Sequence, residues 1–582
     1  MLPHNGDNSF SSCHLDEERC ETIDTSAHQS NIQKRPNGEL ARDLEARHMH
    51  MIAIGGGIGS GLFVGSGKAL SAGGPGCLLL GFILMGIMAL CTTHSLGELA
   101  VTYPVNGAFY VYFSRFIDPA WQALGGFAMG WQYTISWLLT LPFEISVASL
   151  TIRYWNDEIN VGVWITIFLS AIAIIQIFGV RGYGEAEFVL TSIKIVACIG
   201  LIILGVVINV GGVPTDDRGY IGGRYWRDPG AFHNGLAGFA TVIQVAGFAY
   251  GGAEIVGLTA AEARDPAKSI PSAVRQVLTR ILIFYILNML LLGLNLPSDD
   301  PRLLGAGGHT TKASPFTIAI QMAGIKVLPS VINAIILITV LSVANTSIYA
   351  STRTLQALAQ SGHAPKIFEY IDSKGRPIWC IVLQLVVGLL AFVNEAASGE
   401  KVFTWFLAVC SLGGVFIWGS ICLAHIRFKY AWKLQHKNPQ EILWRSPFGI
   451  SGSVVGILII ASAVVANFYL GIKVRKSHKP HPYSIPTDNV VGTAPESGPI
   501  GVDRNPITVV TTFLSPTFFL SLFFGFKIIK KNFNFGVSLH NVDLNKGRRE
   551  FAEFGTNDTE PRHTSNRKIP EEVAILNPAN GS

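Results

Sequence analysis

Three ionisable side chains lie inside long apolar stretches of the sequence, where a charge is costly and therefore indicates a function. They are Glu144 in LPFEISVAS, Lys194 in TSIKIVACIG and Glu254 in AYGGAEIVG. A charge at the centre of a bilayer costs at least about 2.5 kcal/mol, so such groups usually face a cavity and take part in proton or ion transfer. We predict all three as proton-coupling residues, and Glu254 also as a contact for an ammonium group. The alternatives are a Lys194 that extends to the membrane interface, a structural hydrogen bond for Glu144 and a helix-capping role for Glu254.

A run of glycines interrupts the first apolar stretch, IAIGGGIGSGLF at residues 52–63. Each glycine costs a helix about 1 kcal/mol relative to alanine. One interpretation is close helix packing, because Gly55–Gly59 and Gly57–Gly61 have the spacing of small-xxx-small pairs. The other is an unwound segment that lines a cavity, where exposed amides at the start of the next half-helix bind a carboxylate. On the second interpretation the binding residues are Ile58, Gly59, Ser60 and Gly61.

A second pair of glycines, Gly251 and Gly252, interrupts the sixth apolar stretch in FAYGGAE. Carbonyl groups exposed at the end of a half-helix favour a cation such as an ammonium group. The two interruptions together fit a zwitterion that is held at both ends, which predicts an amino acid as the ligand. Packing is the alternative for the aromatic residues of this segment. The predicted contacts are Phe248, Ala249, Tyr250, Gly251 and Glu254.

The elements that must position these residues are membrane-spanning helices. Only 14% of the 582 residues are charged, whereas soluble proteins have about 25%. A helix needs about 20 mainly apolar residues to cross a bilayer. The sequence therefore predicts an all-α integral membrane protein with about twelve spans, at residues 49–70, 76–97, 118–150, 161–180, 187–211, 232–260, 275–296, 316–350, 378–397, 402–426, 448–471 and 507–526.

The loops on one side of the predicted bundle carry more Lys and Arg, which predicts that both termini are cytosolic. Residues 1–48 and 527–582 are then cytosolic tails, and 49–526 form the transmembrane domain. The loop 472–506 is rich in Pro, Gly and Ser, departs from the charge pattern and is interpreted as an extracellular insertion. The first 48 residues contain no apolar signal segment. The net charge of +5 and the scattered cysteines favour neither a nucleic acid partner nor a metal site.

Five segments between residues 40 and 550 form an ordered set of motifs: IAIGGGIGSGLFVGSG, GELAVTYPVNGAFYVYFSRFIDPA, FAYGGAEIVGLTAAEARDPAKSIPSA, STRTLQALAQSGHAPKIF and DLNKGRRE. Together they resemble fungal amino acid permeases of the amino acid–polyamine–organocation superfamily. The resemblance implies two inverted five-helix repeats with broken helices 1 and 6, plus two extra C-terminal helices. It also implies uptake coupled to protons, with no other cofactor, and a span-five lysine beside the first break. Similar permeases further imply that Lys34 accepts ubiquitin from a ligase.

The leading hypothesis is a multi-pass plasma-membrane permease that takes up a broad range of amino acids by alternating access and is not an enzyme. The alternatives are a narrow-specificity permease and an amino acid sensor that does not transport, although the short N-terminal tail argues against a sensor. Ser411, Asn345 and Ser342 are weaker candidates for side-chain recognition. Three further acids near predicted span ends are expected at the membrane interface: Glu98, Glu185 and Glu187.

Overall fold

The regular secondary structure of the chain is helical throughout the described residues, which in the computed structural model are 40–117, 125–156, 158–303, 314–395, 399–477, 517, 521, 539–545 and 547–548. Six helices there are long and apolar enough to cross a membrane. This confirms a helical, multi-pass membrane protein. The total of twelve spans and the inverted repeat stay predictions, since nearly all of the predicted span 507–526 lies outside the described residues. The six helices are Gly61–Thr102, Phe127–Ile152, Gly179–Asn209, Pro266–Asn295, Leu328–Gln360 and Gly449–Leu470.

The α-helices are numbered in chain order. The first eight are α1 Ala46–Gly55, α2 Ser66–Thr102, α3 Ala108–Phe116, α4 Gly125–Ile152, α5 Val161–Ile177, α6 Gly179–Asn209, α7 Gly235–Ala249 and α8 Ile255–Thr259. The others are α9 Pro266–Thr279, α10 Asn288–Asn295, α11 Pro315–Met322, α12 Leu328–Gln360, α13 Ile378–Gly388, α14 Gly399–Leu434 and α15 Gly449–Ser477. The π-helical segments Gly61–Gly65 and Arg280–Leu287 lead into α2 and join α9 to α10.

Local sequence explains where several helices begin. The side chain of Asn160 accepts a hydrogen bond from the Gly162 amide at 2.6 Å and so caps α5. The side chain of Asp265 accepts one from the Lys268 amide at 3.4 Å, and Pro266 occupies the first position of α9. Such caps satisfy amides that have no partner within the helix, and proline fits this position because it has no amide hydrogen. These short capping motifs therefore determine the residue at which each helix begins, whereas the apolar composition determines how long it is.

The observed helices differ from the predicted spans in several respects. The predicted span 316–350 is wrong as one helix, because Gly324, with φ +71°, separates α11 from α12. The predicted gap between the first two spans is a kink within α2, at Gly74 with φ +79°. The short helix α3 lies in a segment that was predicted only as a linker. Residues 472–477 of the predicted loop belong to α15, and the rest of that loop lies outside the described residues.

Parts of both predicted tails pack against the helical bundle. The Leu44 amide donates to the Glu262 carbonyl at 3.2 Å, and the Arg264 amide donates to the Leu44 carbonyl at 3.1 Å. The Tyr103 hydroxyl donates to the carbonyl of Leu544 at 2.9 Å. Both tail segments thus contribute to the fold at the side predicted to be cytosolic. Lys34 lies outside the described residues.

We expect Glu262→Ala to destabilise the fold, because Glu262 is the partner of a buried cation. Arg353 Nη2 lies 3.3 Å from Glu262 Oε1, and the Tyr349 hydroxyl donates to Oε2 at 2.6 Å. Removing one member of a buried pair costs about 3–5 kcal/mol. The measurement is the melting temperature of the purified protein in detergent. The control is Lys268→Ala, whose side chain is 80% exposed and whose loss should leave the melting temperature unchanged. Equal melting temperatures for the two variants would contradict the prediction.

Candidate functional site

The first helix break lies between α1 and α2. Helix α1 ends at Gly55, and α-helix resumes at Ser66 after the π-helical turn Gly61–Gly65. Within the break, the Ile58 amide donates back to the Gly55 carbonyl at 3.0 Å. Some of the amides that follow have no such backbone partner. Those that donate to no backbone carbonyl of the described residues belong to Gly59, Ser60 and Gly61.

The second break lies between α7, which ends at Ala249, and α8, which begins at Ile255. Gly252 has φ +87°, a left-handed conformation that glycine adopts far more readily than other residues. The Gly251 amide turns back to the Phe248 carbonyl at 3.1 Å, and the Ile255 amide donates to the Gly252 carbonyl at 3.2 Å. The chain therefore leaves the helix for one tight turn and then re-enters it.

The two breaks face each other at close range, which explains why both need glycine. A Cβ atom on Gly57 would lie 2.0 Å from the carbonyl oxygen of Gly251. A Cβ atom on Gly61 would lie 2.7 Å from the Cα atom of Ala249. Real side chains do not tolerate such distances to backbone atoms. The glycines thus serve both interpretations of the sequence, since they allow the breaks and also allow the broken segments to pack.

A cavity of about 60 Å³ opens beside the two breaks, large enough for a few water molecules. Of the predicted contacts, Ile58, Ala249 and Tyr250 do not line it. Ile58 is fully buried in the core, and the Tyr250 hydroxyl donates to the Phe82 carbonyl at 3.0 Å. The Ser411 side chain lies outside the described part of the chain. The cavity is lined by Gly57, Gly59, Ser60, Gly61, Tyr133, Ser136, Trp137, Thr140, Glu144, Gly247, Phe248, Gly251, Glu254, Val343, Gly414, Ile417 and Trp418.

Two buried carboxyl groups face this cavity. Ser60 Oγ donates to Glu144 Oε1 at 2.7 Å, which ties α4 to the first break. Glu144 Oε2 is buried and has no hydrogen-bond partner among the described residues. Trp418 Nε1 donates to Glu254 Oε2 at 3.0 Å, so Glu254 faces α14 and does not cap α8 with its side chain. A buried carboxylate needs a proton or a cation as partner. Both carboxyl groups are thus placed to accept a proton from the cavity or to bind an ammonium group there.

Lys194 lies beneath the first break and outside the cavity. Its Nζ donates to the Gly55 carbonyl at 2.8 Å and lies 3.5 Å from Glu187 Oε1. The side chain is fully buried, which rules out a lysine that extends to the membrane interface. The last carbonyls of a helix carry partial negative charge, so α1 presents its negative end to this ammonium group. A change in the protonation of Lys194 would therefore act directly on the end of α1.

The prediction that Glu98 and Glu187 lie at the membrane interface is wrong. Glu187 is fully buried, and Oε2 accepts a hydrogen bond from Ser342 at 2.7 Å. Glu98 is also fully buried and accepts from His425 Nε2 at 3.0 Å. Both acids have specific partners that offset the cost of burial. Glu185, by contrast, is 41% exposed and pairs with Arg47.

Sequence reasoning missed a buried pair on the π-helical segment, Arg280 and Tyr285. Arg280 Nη1 donates to the carbonyl of Ala53 in the last turn of α1, at 2.9 Å. The Tyr285 hydroxyl lies within hydrogen-bonding distance of carbonyls in both breaks. A charge inside the predicted span 275–296 was the available signal, by the same rule that selected Lys194.

Comparison with known proteins shows the family of the chain. The sequence model of the family described as "Amino acid permease" matches residues 48–534. The chain belongs to the amino acid permease family. This permease is 44% identical to the general amino-acid permease GAP2 of Candida albicans, over 88% of this chain and 82% of the relative. It is 42% identical to the amino-acid permease GAP3 of the same organism, over 90% and 82%. It is 48% identical to the amino-acid permease inda1 of Hypocrea atroviridis, over 75% and 76%.

The relatives of this permease are named as transporters, so it is not an enzyme, in agreement with the sequence analysis. The permease also has a weak structural likeness to MHP1, a nucleobase-cation-symport-1 family transporter. The TM-score is 0.44 at 13% identity, over 74% of this chain and 95% of that one. That likeness is too low to bear on mechanism. The assignment to the family therefore depends on sequence.

Proposed function

We propose that this permease takes up a broad range of amino acids together with protons, by alternating access at the plasma membrane. The single observation that carries the proposal is that three amides at one helix break, which donate to no backbone carbonyl of the described residues, lie at the same small cavity as two buried carboxyl groups. The amides of Gly59, Ser60 and Gly61 suit a carboxylate at a helix N-terminus. Glu144 and the carbonyls of the second break suit an ammonium group. An α-amino acid offers both groups within a few ångströms.

Alternating access requires a barrier on each side of the site in turn. On the side predicted to be cytosolic, Leu44 is hydrogen-bonded to the chain at residues 262 and 264, and Glu45 Oε1 lies 3.2 Å from Arg264 Nη1. These contacts tie the start of α1 to the segment that follows α8. Release of the substrate to that side would require them to separate. Their position next to the first half-helix supports a gate that opens when α1 moves.

Proton coupling is proposed to act through Lys194. Protonated Lys194 donates to the Gly55 carbonyl and holds the end of α1 in the arrangement seen here. Loss of the proton removes the charge that favours this carbonyl, which would release α1 for inward opening. Glu144 and Glu254 are proposed as further proton carriers, because both are buried and both face the cavity.

A broad specificity is supported by small residues on the cavity wall. Gly247, Gly251 and Gly414 add no side-chain bulk next to the two carboxyl groups. Ala249 and Gly252, which are also small, do not line the wall. Ubiquitin transfer to Lys34 stays a prediction.

The test is an uptake screen in a permease-deficient host, with each common amino acid in radiolabelled form and at two external pH values. We expect concentrative uptake of several amino acids, faster at the lower pH and abolished by a protonophore. Host cells without the permease provide the background. Uptake of one amino acid alone would contradict broad specificity, and uptake independent of pH and protonophore would contradict proton coupling. Binding of amino acids without any uptake would identify a sensor.

A further inference from the structure

The π-helical segment Arg280–Leu287 lies between α9 and α10, within one long helix that runs from Pro266 to Asn295. In an α-helix, residues five apart point about 140° away from each other. In a π-helix the hydrogen bonds run between residues five apart, so such residues come close to the same face. Arg280 Nη2 accordingly donates to the hydroxyl oxygen of Tyr285 at 3.1 Å. The π segment is what allows these two side chains to act together.

The pair reaches both helix breaks at once. The Tyr285 hydroxyl oxygen lies 3.2 Å from the Gly57 carbonyl oxygen in the first break and 2.9 Å from the Ala249 carbonyl oxygen in the second. Arg280 Nη1 donates a hydrogen bond to the Ala53 carbonyl at 2.9 Å, just before the first break. Tyr285 and Arg280 are fully buried. Water therefore cannot replace these hydrogen bonds in the arrangement seen here.

The hydroxyl group has one proton to share between two carbonyls. A tyrosine hydroxyl donates one hydrogen bond and can accept another. The Tyr285 oxygen accepts from Arg280, and its single proton can be donated fully to the Gly57 carbonyl or to the Ala249 carbonyl, but not to both at once. An unpaired carbonyl in a buried site is unfavourable. A movement of either break would thus change which carbonyl receives the hydrogen bond from Tyr285. The carbonyl of the other break would gain or lose that hydrogen bond as a result.

We propose that Tyr285, oriented by Arg280, is a positioning residue that couples the movements of the two helix breaks during transport. This rests on the proposed amino acid transport function. Neither side chain lines the cavity, so the pair acts on interconversion between states and leaves direct substrate contacts unchanged.

Tyr285→Phe tests the hydroxyl group alone, because the variant keeps the contacts of the aromatic ring. The Tyr285 ring stacks on Tyr250 with a centroid distance of 4.4 Å and faces Phe82 at 6.4 Å. Loss of the hydroxyl leaves both carbonyls without this donor. The matched control is Tyr112→Phe in α3, which removes a buried hydroxyl that donates to the Tyr103 carbonyl at 2.6 Å and to no carbonyl of either break.

The experiment measures initial uptake rates against substrate concentration, with every rate divided by the number of permease molecules at the cell surface. For Tyr285→Phe we expect the maximal rate per molecule to fall about tenfold, as for an unsatisfied buried carbonyl, and KM to stay within about twofold. Tyr112→Phe should keep the wild-type rate per molecule. Arg280→Lys should lower the rate as Tyr285→Phe does, and the double variant should fall no further, because paired residues act as one unit.

Two results would overturn the inference while wild-type uptake is intact. One is an unchanged rate per surface molecule for Tyr285→Phe, which would make the hydroxyl merely structural. The other is a double variant whose loss equals the product of the two single losses, which would show that the residues act separately. Absence of amino acid uptake by the wild type would instead overturn the proposed function, and the inference with it.

Discussion

Lys194→Arg is expected to abolish concentrative uptake although it keeps a positive charge at the end of α1. Lys194 Nζ donates to the Gly55 carbonyl at 2.8 Å and lies 3.5 Å from Glu187 Oε1. An arginine would remain a donor to these groups, but it does not lose its proton in a protein. If transport requires Lys194 to bind and release a proton, the arginine variant should exchange internal for external substrate and fail to accumulate it. Net uptake and exchange of radiolabelled amino acid, measured in the same vesicles, separate the two steps.

A second variant at this position distinguishes charge from proton transfer. Lys194→Gln removes the cation and leaves Glu187 without its positively charged partner, which costs about 3–5 kcal/mol and should lower uptake by roughly 100-fold or more. Lys268→Arg is the matched control, because that lysine is 80% exposed. If the arginine variant accumulated substrate with the pH dependence of the wild type, Lys194 would be a structural cap on α1. Proton coupling would then have to be assigned to Glu144 or Glu254.

The sequence allowed the two helix breaks and three of their ionisable neighbours to be predicted. Glycines in an apolar stretch and charges in an apolar stretch are signals that need no knowledge of the fold. In the structure, Gly59, Ser60, Gly61, Glu144 and Glu254 line one cavity, and their role as a binding site stays a prediction. The same signals placed Lys194 inside a helix, while its position next to Gly55 came only from the family resemblance.

Other parts of the site depended on helix boundaries or on helix geometry. Glu187 was assigned to the interface because the span was predicted to begin there, whereas α6 begins at Gly179. Within that helix, Glu187 and Lys194 are seven residues apart and therefore share a face, a spacing that could have revealed the pair. Arg280 and Tyr285 are five residues apart, which places them on different faces of an α-helix. Only the π-helical segment brings them together, and no rule of apolar periodicity predicts such a segment.

The hydrogen-bond partners of the acidic side chains could not be predicted from the sequence either. Glu254 accepts a hydrogen bond from Trp418, which is 164 residues away along the chain. Ser342 was a candidate for substrate recognition, yet it donates to Glu187. Asn345, another candidate, accepts from Gln176 at 2.9 Å. Long-range contacts of this kind depend on how the helices pack, so a polar residue in an apolar helix could be assigned to the interior but not to a partner.

Gly57→Ala is expected to eliminate most transport, although it adds only a methyl group. Its Cβ would lie 2.0 Å from the Gly251 carbonyl oxygen and 2.3 Å from Arg280 Nη2. The carbonyl belongs to the backbone of the second break, so it cannot move aside without moving that break. Overpacking of this kind costs about 1–3 kcal/mol, and we expect the uptake rate per surface molecule to fall by roughly 10- to 100-fold. The measurement is initial uptake of the best substrate from the screen.

The control for Gly57→Ala is Gly200→Ala in α6, where a Cβ would meet no atom within 4 Å. That change should leave uptake unaltered and slightly favour the helix, since alanine is better than glycine there by about 1 kcal/mol. Melting temperatures of both purified variants separate a local clash from general unfolding. Because the clash exists only while the two breaks touch, wild-type transport by Gly57→Ala would mean that they do not touch in the transporting protein. The substrate would then have to be bound somewhere other than at their junction.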